Sequence, residues 1–93
     1  MLFRSLIGES ASARVEQAIR HSIESHPRVS RLIHMRTLHL GPEQILLGAK
    51  IEVDRTLDTV GVARVIDDAE ARIRARVPQV TVIFLEPDLH RDQ

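Results

Sequence analysis

The chain has no cysteine, tryptophan or tyrosine, and its two aromatic residues are Phe3 and Phe84. Without cysteine there is no disulfide framework, no thiolate zinc site and no thiol chemistry, which fits a reducing compartment. Two phenylalanines cannot build the stacking platform that single-stranded nucleic acid requires. Thirteen Lys and Arg balance thirteen Asp and Glu, so no global field draws the chain to DNA or to an anionic membrane. No apolar run is long enough to span a bilayer. Met1 to Ile7 is mostly apolar but too short for the core of a secretory signal. A helical His-Glu-x-x-His pair, a Gly-rich phosphate loop and a recognisable Ser, His and acid set are all missing, so no enzyme is expected. The exclusions leave a soluble, cytoplasmic, non-enzymatic domain of 93 residues, near the small end of what a single core supports.

What is present is aliphatic and periodic. Val29 to Asp54 reads as two β-rich runs joined at Gly41-Pro42-Glu43-Gln44, a polar link with the punctuation of a reversing turn. After the turn Ile45, Leu47, Ala49, Ile51 and Val53 alternate with polar positions that include Lys50, Glu52 and Asp54, so one face of the strand is meant for burial. A slip of one residue would expose that whole set. A hairpin is at best marginally stable alone, and its flanks must cover it. Upstream, Ser10 or Ser12 can cap a helix over about residues 11–25, with Val15, Ala18, Ile19 and Ile23 on one face. Pro27 ends it by pushing His26 out of the helical region. Downstream, Thr56 is the N-cap candidate and Asp58 puts negative charge in the first turn. The second helix carries Val62, Val65, Ile66, Ala69, Ile73 and Val77 on one side and stops at Pro78. Gly61 costs it about 1 kcal/mol relative to alanine unless close packing requires glycine. The last apolar run, Val80 to Pro87, is a strand stopped by its proline, and Asp88 to Gln93 is a polar tail.

The order helix, strand, strand, helix, strand defines an α+β fold. It is an open-faced α-β-β-α-β sandwich, ferredoxin-like without its first strand, with two helices on one face of a three-stranded sheet. The crossover places the last strand parallel to the second strand, or beyond the first and antiparallel to it. Either way the second face and the edges stay uncovered, and a homodimer is expected.

Five histidines are the unusual chemical signal. His21 and His26 are five apart and miss the same-face spacing of helical zinc sites, so His21 reads as solvated and His26 as a turn residue. His34 and His39 lie on one strand at odd separation and face opposite sides. Glu86-Pro87-Asp88-Leu89-His90 clusters two carboxylates and an imidazole, donors that suit Zn, Mn or Fe.

Four pieces in order resemble the C-terminal cytoplasmic domain of cation diffusion facilitator transporters, which export zinc and related divalent cations. They are Leu6-Ile7-Gly8-Glu9, the Val29 to Gly41 strand with Met35-Arg36-Thr37 near its centre, Ala49 to Asp54 before a capped helix, and Val82 to Pro87. The resemblance covers about residues 6–87. It implies a cytoplasmic regulatory domain over residues 10–87, dimerising as a V-shaped pair whose arms close on cation binding. Residues 1–9 then correspond to the juxtamembrane lead-in and 88–93 to a tail. Partners would be a second copy and the membrane domain of the same transporter, with no nucleic acid and no direct membrane insertion of this segment. The chain is read either as the regulatory part of such a transporter or as a free-standing relative.

Histidine-rich members of that family place one metal ligand on each strand and a carboxylate two residues after the last. Glu86 matches the carboxylate, and His34 matches the first ligand after a shift of one residue from Ile33. Lys50 and Phe84 stand at the other two positions. A protonated lysine repels a cation and phenylalanine has no lone pair to give. A cation site must therefore be rebuilt from His34, Glu86, Asp88 and His90, with both protomers contributing and preference moved from zinc toward manganese or iron. The alternative is a structural dimerisation module without specific metal binding.

Overall fold

The structure is a computed structural model and describes residues 8–89. Five elements follow one another: α1 (Ala13–Glu24), β1 (Val29–Gly41), β2 (Gln44–Val53), α2 (Thr59–Arg76) and β3 (Val80–Leu89). Pro42 and Glu43 alone separate β1 from β2, and Gly41 pairs with Gln44 across the turn. The sheet order is β1-β2-β3, with β1 antiparallel and β3 parallel to β2. The last strand therefore takes the placement beside the second, and among the described strands β2 alone has a strand on each side.

Strict alternation makes β2 the floor of the core. Ile45, Leu47, Ala49, Ile51 and Val53 are all buried. Ile19 and Ile23 of α1, Val65, Ala69 and Ile73 of α2, and Val80 and Ile83 of β3 are buried with them. Both helices consequently cover the same face of the sheet. β1 reaches the same core through Val29 and Leu32, and its register shifts between Val29 and Arg31 and between Leu32 and His34. Such bulges twist an edge strand and disfavour its pairing with other chains.

Thr37 ties the helical layer to β1. Its buried hydroxyl accepts from the Ala11 amide at 2.8 Å and donates to Glu16 Oε2 at 2.7 Å. Nearby, the Gly8 amide donates to the His39 carbonyl, and the His39 amide donates to the Glu9 carbonyl. Residues 8–9 thus lie along the outer edge of β1, and Gly8 takes a φ of 88° that suits only glycine without strain.

Several boundaries differ from the sequence expectations. Of the two serine candidates, Ser12 caps α1, accepting from the Val15 amide. Asp58, not Thr56, caps α2: its Oδ1 accepts from the Gly61 amide at 2.7 Å. Thr56 is unavailable because its amide and hydroxyl both donate to Asp54 Oδ1, a turn that competes with helix initiation. A Cβ at Gly61 would sit 3.1 Å from Asp58 Oδ1 and 3.1 Å from Leu57 Cδ2, so close packing under the cap explains the glycine. β3 does not stop at Pro87 but runs to Leu89, which places Asp88 on the strand rather than in a tail. An edge strand tolerates proline where the missing N–H faces away from the ladder. His26 lies in the turn after α1, as expected, and what the sequence did not show is that it is buried there. It is 6% exposed, its Nδ1 accepts from the Arg28 amide at 3.0 Å, and its Nε2 lies 3.3 Å from Asp68 Oδ2 on α2.

Two measurements check this account. Thr37→Val leaves the Ala11 amide without its partner and should lower the unfolding free energy by about 1–3 kcal/mol in urea titration; a loss under about 0.5 kcal/mol, the level of an ordinary surface change, would contradict it. The Asp54 carboxyl lies below its ordinary 3.8, mainly because of the Thr56 amide, then the Thr56 hydroxyl and Arg28. A depressed carboxyl stabilises the fold fully above its unfolded value and loses that contribution as pH falls toward its folded value. Stability of Asp54→Asn should therefore trail the parent at neutral pH by a constant margin that narrows below the ordinary carboxylate range. A margin that widens on acidification would contradict this.

Candidate functional site on the open sheet face

Alternation that buries one set of β2 side chains must present the other set on the opposite face. That face carries Leu46, Gly48, Lys50 and Glu52, and no described helix covers it. The pairing registers assemble four rows across the three strands. Leu38, Leu46 and Val82 form the first row, and Arg36, Gly48 and Phe84 the second. His34, Lys50 and Glu86 form the third, and Arg31, Glu52 and Asp88 the fourth.

The face is divided in character. Its end nearest the β1–β2 turn is apolar: Phe84 is 64% exposed, Leu38 and Leu40 are exposed, and Leu46 and Val82 are half-buried. At Gly48 nothing lies within 4 Å of where a Cβ would be, which leaves a notch beside Phe84. The other end is charged. Arg31 Nε donates to Glu52 Oε1 at 3.2 Å, and Asp88 Oδ1 accepts from the Leu89 amide. The side chains of His34, Lys50 and Glu86 make no hydrogen bond or ion pair among the described residues. Three titratable groups without partners among the described residues thus stand in one row beside exposed aliphatic surface.

The structure puts His34, Glu86 and Asp88 on this one face, and His90 lies outside the described residues. Within one chain the first two do not converge. They occupy the outer strands, about 10 Å apart by the spacing of adjacent strands, with Lys50 between them. Among the described residues no group of three His, Cys, Asp or Glu side chains is placed to hold a metal ion. The donors of a single chain therefore do not make a cation site, and the ammonium in their midst opposes one. His34 and His39 alternate as expected, His34 exposed and His39 half-buried with its Nδ1 at 3.1 Å from the Gly41 carbonyl oxygen. His21 is exposed on α1. The residue that sequence reasoning missed is His26, whose partner Asp68 is 42 positions away.

The family model described as the cytoplasmic domain of cation efflux protein matches residues 11–88. No curated protein matches the sequence. Among solved structures, MamM-CTD with one His-to-Ala substitution is similar with a TM-score of 0.80 at 17% identity, over 87% of this chain and 100% of that one. A nickel form of a MamM CTD Glu-to-His variant gives 0.80 at 18% identity, over 86% and 100%. A copper form of an Asp-to-His variant gives 0.78 at 18% identity, over 84% and 96%. At these identities the likeness is one of fold, and that fold is the α-β-β-α-β arrangement found here.

Lys50 stands between His34 and Glu86 on this face. Lys50→Gln removes a positive charge from between His34 and Glu86 and should strengthen Mn or Zn binding by about tenfold in calorimetric titration, the scale of one nearby charge in a partly solvated setting. Unchanged or weaker binding would show that Lys50 does not oppose a cation there.

Proposed function

The chain belongs to the family of cation efflux protein cytoplasmic domains, and on that footing we propose that it is the regulatory and dimerisation unit of a divalent-cation exporter. The observation that carries this reading is the division of the open sheet face into an apolar end and a charged end. Leu38, Leu40 and Phe84 of two copies bury one another and form the permanent contact. The charged end forms a cleft between two arms, where His34, Glu86 and Asp88 of one protomer face those of its partner, with His90 beyond them. Few donors per chain suffice once two chains contribute, and their oxygen-rich character favours manganese or iron beside zinc. A divalent cation held there would cancel the mutual repulsion of the carboxylates, and it shifts the arms only to the extent that it binds the closed pair better than the open one. The nickel and copper forms of the MamM domain support a divalent cation as the ligand class.

Residues 10–87 serve in this reading as the regulatory unit and residues 1–9 as the lead-in from the membrane part. The hydrogen bonds of Gly8 and Glu9 to the His39 backbone support a direct mechanical link from that lead-in to β1.

A second reading has its own observation. Lys50 stands between the two best donors, and no three donors converge within a chain among the described residues. On this reading the face joins two protomers and binds no ion specifically.

Phe84→Asp should raise the dimer dissociation constant about thirtyfold or more in sedimentation equilibrium, as expected for a central aromatic anchor. A parent chain that stays monomeric at all concentrations would remove dimerisation itself. Scattering with Zn, Mn and Fe then separates the two readings. Contraction of the dimer with any of these ions, lost in the His34→Ala, His90→Ala double variant, supports the sensing role; unchanged dimensions and no heat of binding leave only the structural dimeriser.

A further inference from the structure

On the opposite side of the molecule, α1 and α2 run antiparallel and leave a cleft of about 390 Å³. It is lined by His21, Ser22 and Ser25 of α1 and by Arg72, Ala75 and Arg76 of α2. No carboxylate is among them. Arg72 and Arg76 are four apart and share a helix face, as do His21 and Ser25 across the cleft. Arg72 Nη1 donates to Ser25 Oγ at 3.0 Å, which fixes the guanidinium beside the cleft and leaves four of its five N–H groups for another acceptor. The side chains of His21 and Arg76 make no hydrogen bond or ion pair among the described residues.

The acids that could neutralise this cluster are engaged elsewhere. Asp68, one turn before Arg72, lies 3.3 Å from His26 Nε2. Glu24 accepts from the Leu32 amide and pairs with Arg20. Cations in the last turn of a helix offset its dipole, and that accounts for His21 and Arg76 singly. It does not account for Arg72, a turn earlier, nor for all three lining one cleft with Ser22 and Ser25. In a chain of zero net charge, this is a local concentration of positive charge and donors facing a concavity.

We propose that the cleft between α1 and α2 binds a phosphate group, with Arg72 and Arg76 gripping the oxyanion and His21 donating from the facing helix. Guanidinium forks match phosphate geometry, and the charged hydrogen bonds they make are among the stronger ones available. The phosphate belongs either to a small soluble compound or to a phosphorylated lipid headgroup, which offer the same oxygens. The site uses none of the residues of the open sheet face, so it goes beyond the exporter reading and stands or falls separately from it. In particular, it should persist in the Phe84→Asp variant.

The test is an amide-resolved NMR titration of the full chain with inorganic pyrophosphate, beside co-sedimentation with phosphatidylcholine vesicles carrying a phosphoinositide or, at matched charge, phosphatidylserine. Pyrophosphate should shift the resonances of His21, Ser25, Arg72 and Arg76, and His21→Gln with Arg76→Ala should weaken binding by about tenfold or more. Both changes are on exposed side chains, and an unaltered circular dichroism spectrum shows that the variant folds. Phosphoinositide vesicles that bind through the same residues, where phosphatidylserine vesicles do not, identify the lipid source; a response to pyrophosphate alone identifies the soluble one. No response to either probe, binding indifferent to the double variant, or equal binding to phosphatidylserine would overturn the proposal.

Discussion

The structure depends on the burial of alternate residues along one central strand. β2 is hydrogen-bonded on both sides, so its backbone is satisfied and its side chains have two faces to go to. Ile45, Leu47, Ala49, Ile51 and Val53 go to one of them. Both helices follow, because each has a single apolar stripe and that face is where it can be buried. The register is stiffly held, since any slip by one residue would exchange the buried and exposed sets.

The open face is a by-product of the same constraint. With Leu46, Gly48, Lys50 and Glu52 forced to the other side, their neighbours on β1 and β3 are brought beside them by the ladder. Residues from three distant parts of the chain, such as His34, Lys50 and Glu86, become a row without any loop to arrange them. Rows on a sheet are rigid and evenly spaced, which suits a surface that meets a copy of itself. The same rigidity keeps the donors of one chain apart, so a cation would need two chains. The open sheet face and the helical layer are two separate surfaces, and the cleft lined by Arg72 and Arg76 lies on the second.

Much of this was legible in the residues. The period of two in β2, the three-and-four spacing of Ile19 and Ile23, and a reversing turn within Gly41-Pro42-Glu43-Gln44 depend on neighbours in sequence, and each appears as expected. The parallel placement of β3 was one of two options, because crossover rules fix direction but not which neighbour is taken. What escaped were effects of partners remote in sequence or of competition at a terminus. His26 is buried because Asp68 and the Arg28 amide satisfy its ring. Thr56 lost the cap because Asp54 holds its amide and hydroxyl. Pro87 did not end β3, because among the described strands β3 has a neighbour on one side only. The open-face site was legible as types of residue, with Lys50 already placed among the ligand positions by the family resemblance; the two registers add that it stands between His34 and Glu86 in one row. Nothing in the periodicity of either helix announced the cleft, which exists only once Arg72 meets Ser25.

The central claim is that two copies meet through the open face of the sheet. The absence of cysteine makes single-site spin labelling clean. A label at Arg36→Cys sits on the open face and one at Glu70→Cys on the helical layer. Pulsed electron spin resonance on the dimer should give an Arg36 separation shorter than that at Glu70 by about 20 Å, roughly one helix layer on each protomer. A shorter distance at Glu70 would place the contact on the helices and contradict the account.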